Sequence, residues 1–127
     1  MDNEKLLLIL KNSVIEKGVE DNLQGEFTFL KQNKYFKHLD FDSFCRVFLN
    51  YIKLILKFNI ANFHAAADAG SEIRWERNIS DFLELLEAFI KKERENLMDD
   101  PVHFFGFKYC FIVWTKNSKD IDWSQHE

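Results

Sequence analysis

Between Phe41 and Phe58 the polar residues Asp42, Arg46, Asn50, Lys53 and Lys57 recur at spacings of 4, 4, 3 and 4, which on a helix is one narrow polar stripe. Phe44, Cys45, Val47, Phe48, Leu49, Tyr51, Ile52, Leu54, Ile55 and Leu56 fill most of the remaining circumference. A helix apolar over so much of its surface belongs at the centre of a domain. The pattern therefore predicts a buried central helix, with Asp40 or Asp42 placed to accept from the exposed amides of its first turn.

The flanking segments are organised differently. Leu6, Leu7, Leu10 and Val14, with Ile15, form the stripe of a first helix over 4–17, and Gly18 is placed to cap it in a left-handed conformation. Residues 19–38 leave two readings open. Asp21, Asn22 and Gly25 read as loop and Phe27, Leu30 and Phe36 fit a short helix, but Phe27-Thr28-Phe29 alternates as a strand does. Ile73 and Trp75 alternate with charges, which suits a half-buried strand or an extended loop. Asn78 opens a third helix over 79–97, with Ile79, Phe82, Leu83, Leu86, Phe89 and Ile90 as its apolar face. Its acids Asp81 and Glu84 come early and Lys91, Lys92 and Arg94 come late, as the helix dipole favours. Asp99-Asp100-Pro101 ends it.

The tail changes period. Phe104, Phe105, Phe107, Tyr109, Phe111, Val113 and Trp114 are aromatic or β-branched and read as strand. Lys116 to Lys119 is a polar turn, after which Ile121 and Trp123 alternate with Asp120 and Asp122. The expected fold is α+β: mainly helical, with a buried central helix and a C-terminal β-hairpin, in a single domain spanning 1–127.

Composition narrows the class. A chain of 127 residues that is 46% hydrophobic and 30% charged is not disordered. Four glycines and one proline supply too few turns for a many-stranded barrel or sandwich. The longest apolar segment is broken by Arg46, Lys53 and Lys57, so no membrane span is expected. Two acids precede the five-residue run Leu6–Leu10, which Lys11 ends; this is no secretory signal, and a cytoplasmic protein is expected. Cys45 and Cys110 lie in apolar runs without a Cys-x-x-Cys spacing and read as buried free thiols.

Candidate chemistry is sparse. His64 and Asp68 are four apart, His103 and His126 are isolated, and no zinc or calcium motif is present, so no metal or cofactor is expected. The glycines never cluster into a phosphate loop. Glu72 with Glu76, and Asp120 with Asp122, are carboxylate pairs, but such pairs are common on solvated faces and no enzyme is expected. Charge is more informative. Residues 1–58 carry nine basic and eight acidic groups, whereas residues 59–127 carry eight and thirteen, so the whole net charge of −4 arises in the second half. That surplus is either a solvated face or a surface for a basic partner. It argues against direct nucleic-acid binding, while a nuclease is itself basic because its substrate is a polyanion. Glu72, Glu76, Asp120 and Asp122 are the candidate charge contacts. Trp75, Trp114 and Trp123 are candidate anchors, of which at least two are expected in the core and Trp75 is assigned to the partner.

The segment Phe111-Ile112-Val113-Trp114-Thr115, a polar turn, then Asp120-Ile121-Asp122-Trp123-Ser124 resembles the closing hairpin of a small bacterial family of uncharacterised proteins. The apolar helix around Phe48–Leu56 and the opening Asn78-Ile79-Ser80 follow the same order of elements. Such proteins occur beside toxin genes of contact-dependent growth inhibition and related polymorphic toxin systems, where they look like immunity proteins. The resemblance implies a toxin inhibitor that binds the C-terminal domain of a cognate bacterial toxin, a nuclease by preference, and carries no catalytic residue. The alternative is a non-catalytic structural or adaptor protein that self-associates, for instance through the unpaired edge of Asp120–Ser124.

Overall fold

The computed structural model describes residues 3–16, 20–64 and 79–114. Helix α1 spans Asn3–Glu16 and is followed by strand β1 (Glu20–Asn22), helix α2 (Leu23–Lys31) and helix α3 (Phe41–Lys57). Strand β2 (Ala61–His64), helix α4 (Ile79–Lys92) and helix α5 (Arg94–Asp99) come next, then a 3₁₀ helix (Pro101–Gly106) and strand β3 (Phe111–Trp114). The fold is α+β and mainly helical, as expected. No helix among the described residues is long and apolar enough to cross a membrane.

Helix α3 is the predicted central helix. Asp40 caps it, its carboxylate accepting from Ser43 N at 2.6 Å; these bonds from Ser43 hold the Asp40 carboxyl below the ordinary aspartate range. Phe44, Cys45, Val47, Phe48, Tyr51, Ile52, Leu54 and Ile55 are buried, while Asp42, Arg46, Lys53 and Lys57 face outward. α1, α2 and α4 pack around α3. The helix stops without glycine. Asn59 takes φ 53°, Asn59 N donates to Leu56 O at 3.0 Å and Ile60 N to Ile55 O at 3.3 Å, the paired bonds of a Schellman cap. Asparagine tolerates this left-handed position and a β-branched residue does not. Asn59→Val is expected to lower stability by about 1–2 kcal/mol in urea unfolding, with Asn59→Gly at least as stable as the parent.

The sheet is small and entirely antiparallel, with strand order β1-β3-β2. Ala61 pairs with Trp114 and His64 with Phe111 on one side of β3; Glu20 pairs with Val113 and Asn22 with Phe111 on the other. Ala61, Phe63, Ile112 and Trp114 are buried, so these strands share one inward face. Asn22 ends β1 and caps α2, accepting from Gly25 N at 2.7 Å, and Leu23 N donates to Cys110 O at 2.7 Å. The open segment is thus resolved: Phe27 and Leu30 lie buried on a helix and the strand precedes them.

Two expectations are corrected. The helix expected over 79–97 is two helices meeting at Glu93. Lys91 to Asn96 are six consecutive polar residues, so nothing apolar binds the helix to the core between Ile90 and Leu97. The strand expected from Phe104 begins only at Phe111. Pro101 presets the backbone of a helical first turn, and Asp100 accepts from Val102 N at 3.0 Å, so the chain coils into the 3₁₀ helix. Phe104 of this helix enters the core, while Phe105 faces outward. Phe104 is fully buried, 5.0 Å from Phe27, 5.6 Å from Phe48 and 6.1 Å from Phe89 between ring centroids. β3 pairs antiparallel, as a hairpin arm does, with β1 and β2 as its partners; the return arm expected at Asp120–Ser124 lies outside the described residues.

Candidate protein-binding surface

The residues expected to meet a partner, Glu72, Trp75, Glu76, Asp120 and Asp122, all lie outside the described residues, as does Trp123. Trp114 is placed. It is buried on the inward face of β3, which makes it a core residue, and its indole Nε1 meets no acceptor among the described residues. His64 is half-buried on β2 and His103 is exposed on the 3₁₀ helix. No group of three histidine, cysteine or carboxylate side chains that could hold a metal ion occurs among the described residues.

Both thiols are buried. Burial pushes Cys45 up to about 11, and Asp42 adds to the shift; burial pushes Cys110 up to about 11 as well. Neither is a thiolate near neutral pH, so neither has a nucleophile's reactivity. Iodoacetamide at pH 7.5 should alkylate the folded protein at least tenfold more slowly than the urea-unfolded chain. Equal rates would show that the thiols are accessible.

The described part of the acidic half has its own surface. Arg94 binds Asp42 of α3 through two bonds, Nε to Oδ1 at 2.9 Å and an Nη to Oδ2 at 3.1 Å. These bonds hold the Asp42 carboxyl below its ordinary range and raise the Arg94 guanidinium. With Arg94 so engaged, Glu93, Glu95, Asp99 and Asp100 follow one another along α5 and its ends with no other lysine or arginine between them. Glu95 also reaches Arg94 at 3.0 Å, with its side chain 87% exposed. Three large apolar side chains in the same stretch face solvent: Met98 at 51%, Val102 at 45% and Phe105 at 39%. Val102 and Phe105, three apart, share one side of the 3₁₀ helix, and Met98 stands on α5 before the extended Asp100 that separates the two helices. Phe105 is steadied by the Phe111 ring at 5.6 Å.

Apolar side chains left in water among a surplus of carboxylates are a poor arrangement for solubility alone and a good one for contact with a basic, partly apolar surface. The sequence held a signal for it. That signal is the run of acids Glu93, Glu95, Asp99 and Asp100, a local surplus of charge. Comparison of the chain with protein-family models, with curated proteins and with solved structures gave no match.

Proposed function

We propose that this protein is an immunity protein: it binds a cognate bacterial toxin domain in the cytosol of the cell that makes both, and neutralises it by covering it. The observation that carries the reading is the coincidence on residues 93–105 of surplus carboxylates with exposed Met98, Val102 and Phe105. A nuclease cleft is the basic surface such a face complements. The carboxylates steer encounter and fix orientation, and the apolar side chains slow release. Glu72, Trp75, Glu76, Asp120 and Asp122 belong to the same proposed set of contacts, and their acids extend the negative charge of the second half. The hairpin resemblance of residues 111–124 supports the same reading.

The test is a growth assay. The C-terminal domain of the product encoded just upstream is induced alone and with this protein. Arrest by the domain and rescue by co-expression are the expected results; a harmless domain, or arrest persisting with this protein abundant, removes the reading for that pair. On the purified pair, Glu95→Lys with Asp99→Lys should lower the association rate about tenfold at low salt and flatten its salt dependence. An unchanged rate would take residues 93–105 out of the contact.

A further inference from the structure

A second surface has the opposite character. Between α4 and the chain following the 3₁₀ helix runs an open groove of about 440 Å³, within the range of small-molecule sites. Among the described residues it is lined by the aliphatic Leu85 and Ala88 and the aromatic Phe89, Phe107 and Tyr109, with Lys92 and Lys108 as the only charged ones. Leu85 is 41% exposed, a large apolar side chain the core does not use. Phe89 and Phe107 are tilted at 49° with centroids 5.4 Å apart, and Phe107 stands edge-on to Tyr109 at 6.4 Å. A further ring entering beside them finds the offset and edge contacts that aromatic groups favour. The Lys108 ammonium lies 5.5 Å from the Tyr109 ring centroid, within cation–π reach. Among the described residues, Lys92 and Lys108 are exposed and form no ion pair, and no carboxylate lines the groove.

We propose that this groove binds a small aromatic monocarboxylate, its ring on Phe89, Phe107 and Tyr109 and its carboxylate between Lys92 and Lys108. The rim supplies two cations, one for each oxygen of a carboxylate, and the net charge of −4 on the whole chain disfavours polyanions. The apolar floor demands a ring or chain behind the charge, which excludes inorganic anions. The groove's lining includes none of residues 93–105, and the site stands whether or not the immunity reading does.

The test titrates 3-phenylpropionate into the full-length protein and follows the methyl resonances of Leu85 and Ala88 by NMR. Saturable shifts at both are expected. The uncharged analogue 3-phenylpropanol should bind about five- to tenfold more weakly, as should the acid to Lys92→Gln/Lys108→Gln. That double variant changes two exposed side chains, and its circular dichroism and thermal midpoint should match the parent. No saturable shift at Leu85 and Ala88, equal affinity for acid and alcohol, or undiminished binding by the folded double variant overturns the proposal.

Discussion

Phe27→Ala should reduce stability by about 3–5 kcal/mol, read as a drop in the urea midpoint at constant slope. Phe27 is 1% exposed, and its ring contacts Phe44 at 4.9 Å, Phe48 at 5.1 Å, Phe104 at 5.0 Å and Phe41 at 6.1 Å. It therefore joins α2, α3 and the 3₁₀ helix at one point. Truncation removes ring surface from all three at once, and the rigid central helix is poorly able to close over the gap. Small domains have only about 5–15 kcal/mol to lose, so the variant should be partly unfolded on mild heating. Phe27→Leu keeps the site apolar and should lose less than half as much. A loss below 1 kcal/mol for Phe27→Ala would mean that this cluster is not where the helices are joined.

Tyr51→Phe should cost about 1–3 kcal/mol although it removes a single oxygen. Glu26 is fully buried on α2, and the Tyr51 hydroxyl of α3 donates to its Oε1 at 2.8 Å. Removing that donor leaves a buried carboxyl with one partner fewer. Glu26→Gln keeps an oxygen for the tyrosine and should cost less than Tyr51→Phe. The two substitutions together should depart from additivity by at least 0.5 kcal/mol, since both act on one bond. Additive effects would place the stabilising partners of Glu26 elsewhere.

Helix α3 was legible almost residue by residue, because its polar stripe and apolar remainder are a local property of one element. Asn50 is half-buried, as are Leu49 and Leu56, which is the edge of that stripe. β1 was not legible. Glu20-Asp21-Asn22 has poor strand propensity, and it forms a strand because β3 offers it a ladder edge far along the chain. Phe104 and Phe107 misled in the opposite sense: aromatic enrichment signals burial before it signals a ladder, and here it signalled core. The candidate surface was legible only as a surplus of charge. That the surplus meets Met98, Val102 and Phe105 depends on where α4 gives way to α5. The aromatic groove depends on residues twenty positions apart along the chain, and no local pattern announces it.

The position of β3 has a consequence for synthesis. β1 and β2 each pair with β3 and not with each other, so the central strand is the last of the three to leave the ribosome. A nascent chain ending near Gly106 can already coil its helices, yet its first two strands have no edge to pair with. Both ladders then close together, across long stretches of intervening chain, in the slow non-local step that topology imposes. Until then the backbone edges that β1 and β2 will offer to β3 stay unpaired, and protection from association during that interval falls to the helices alone.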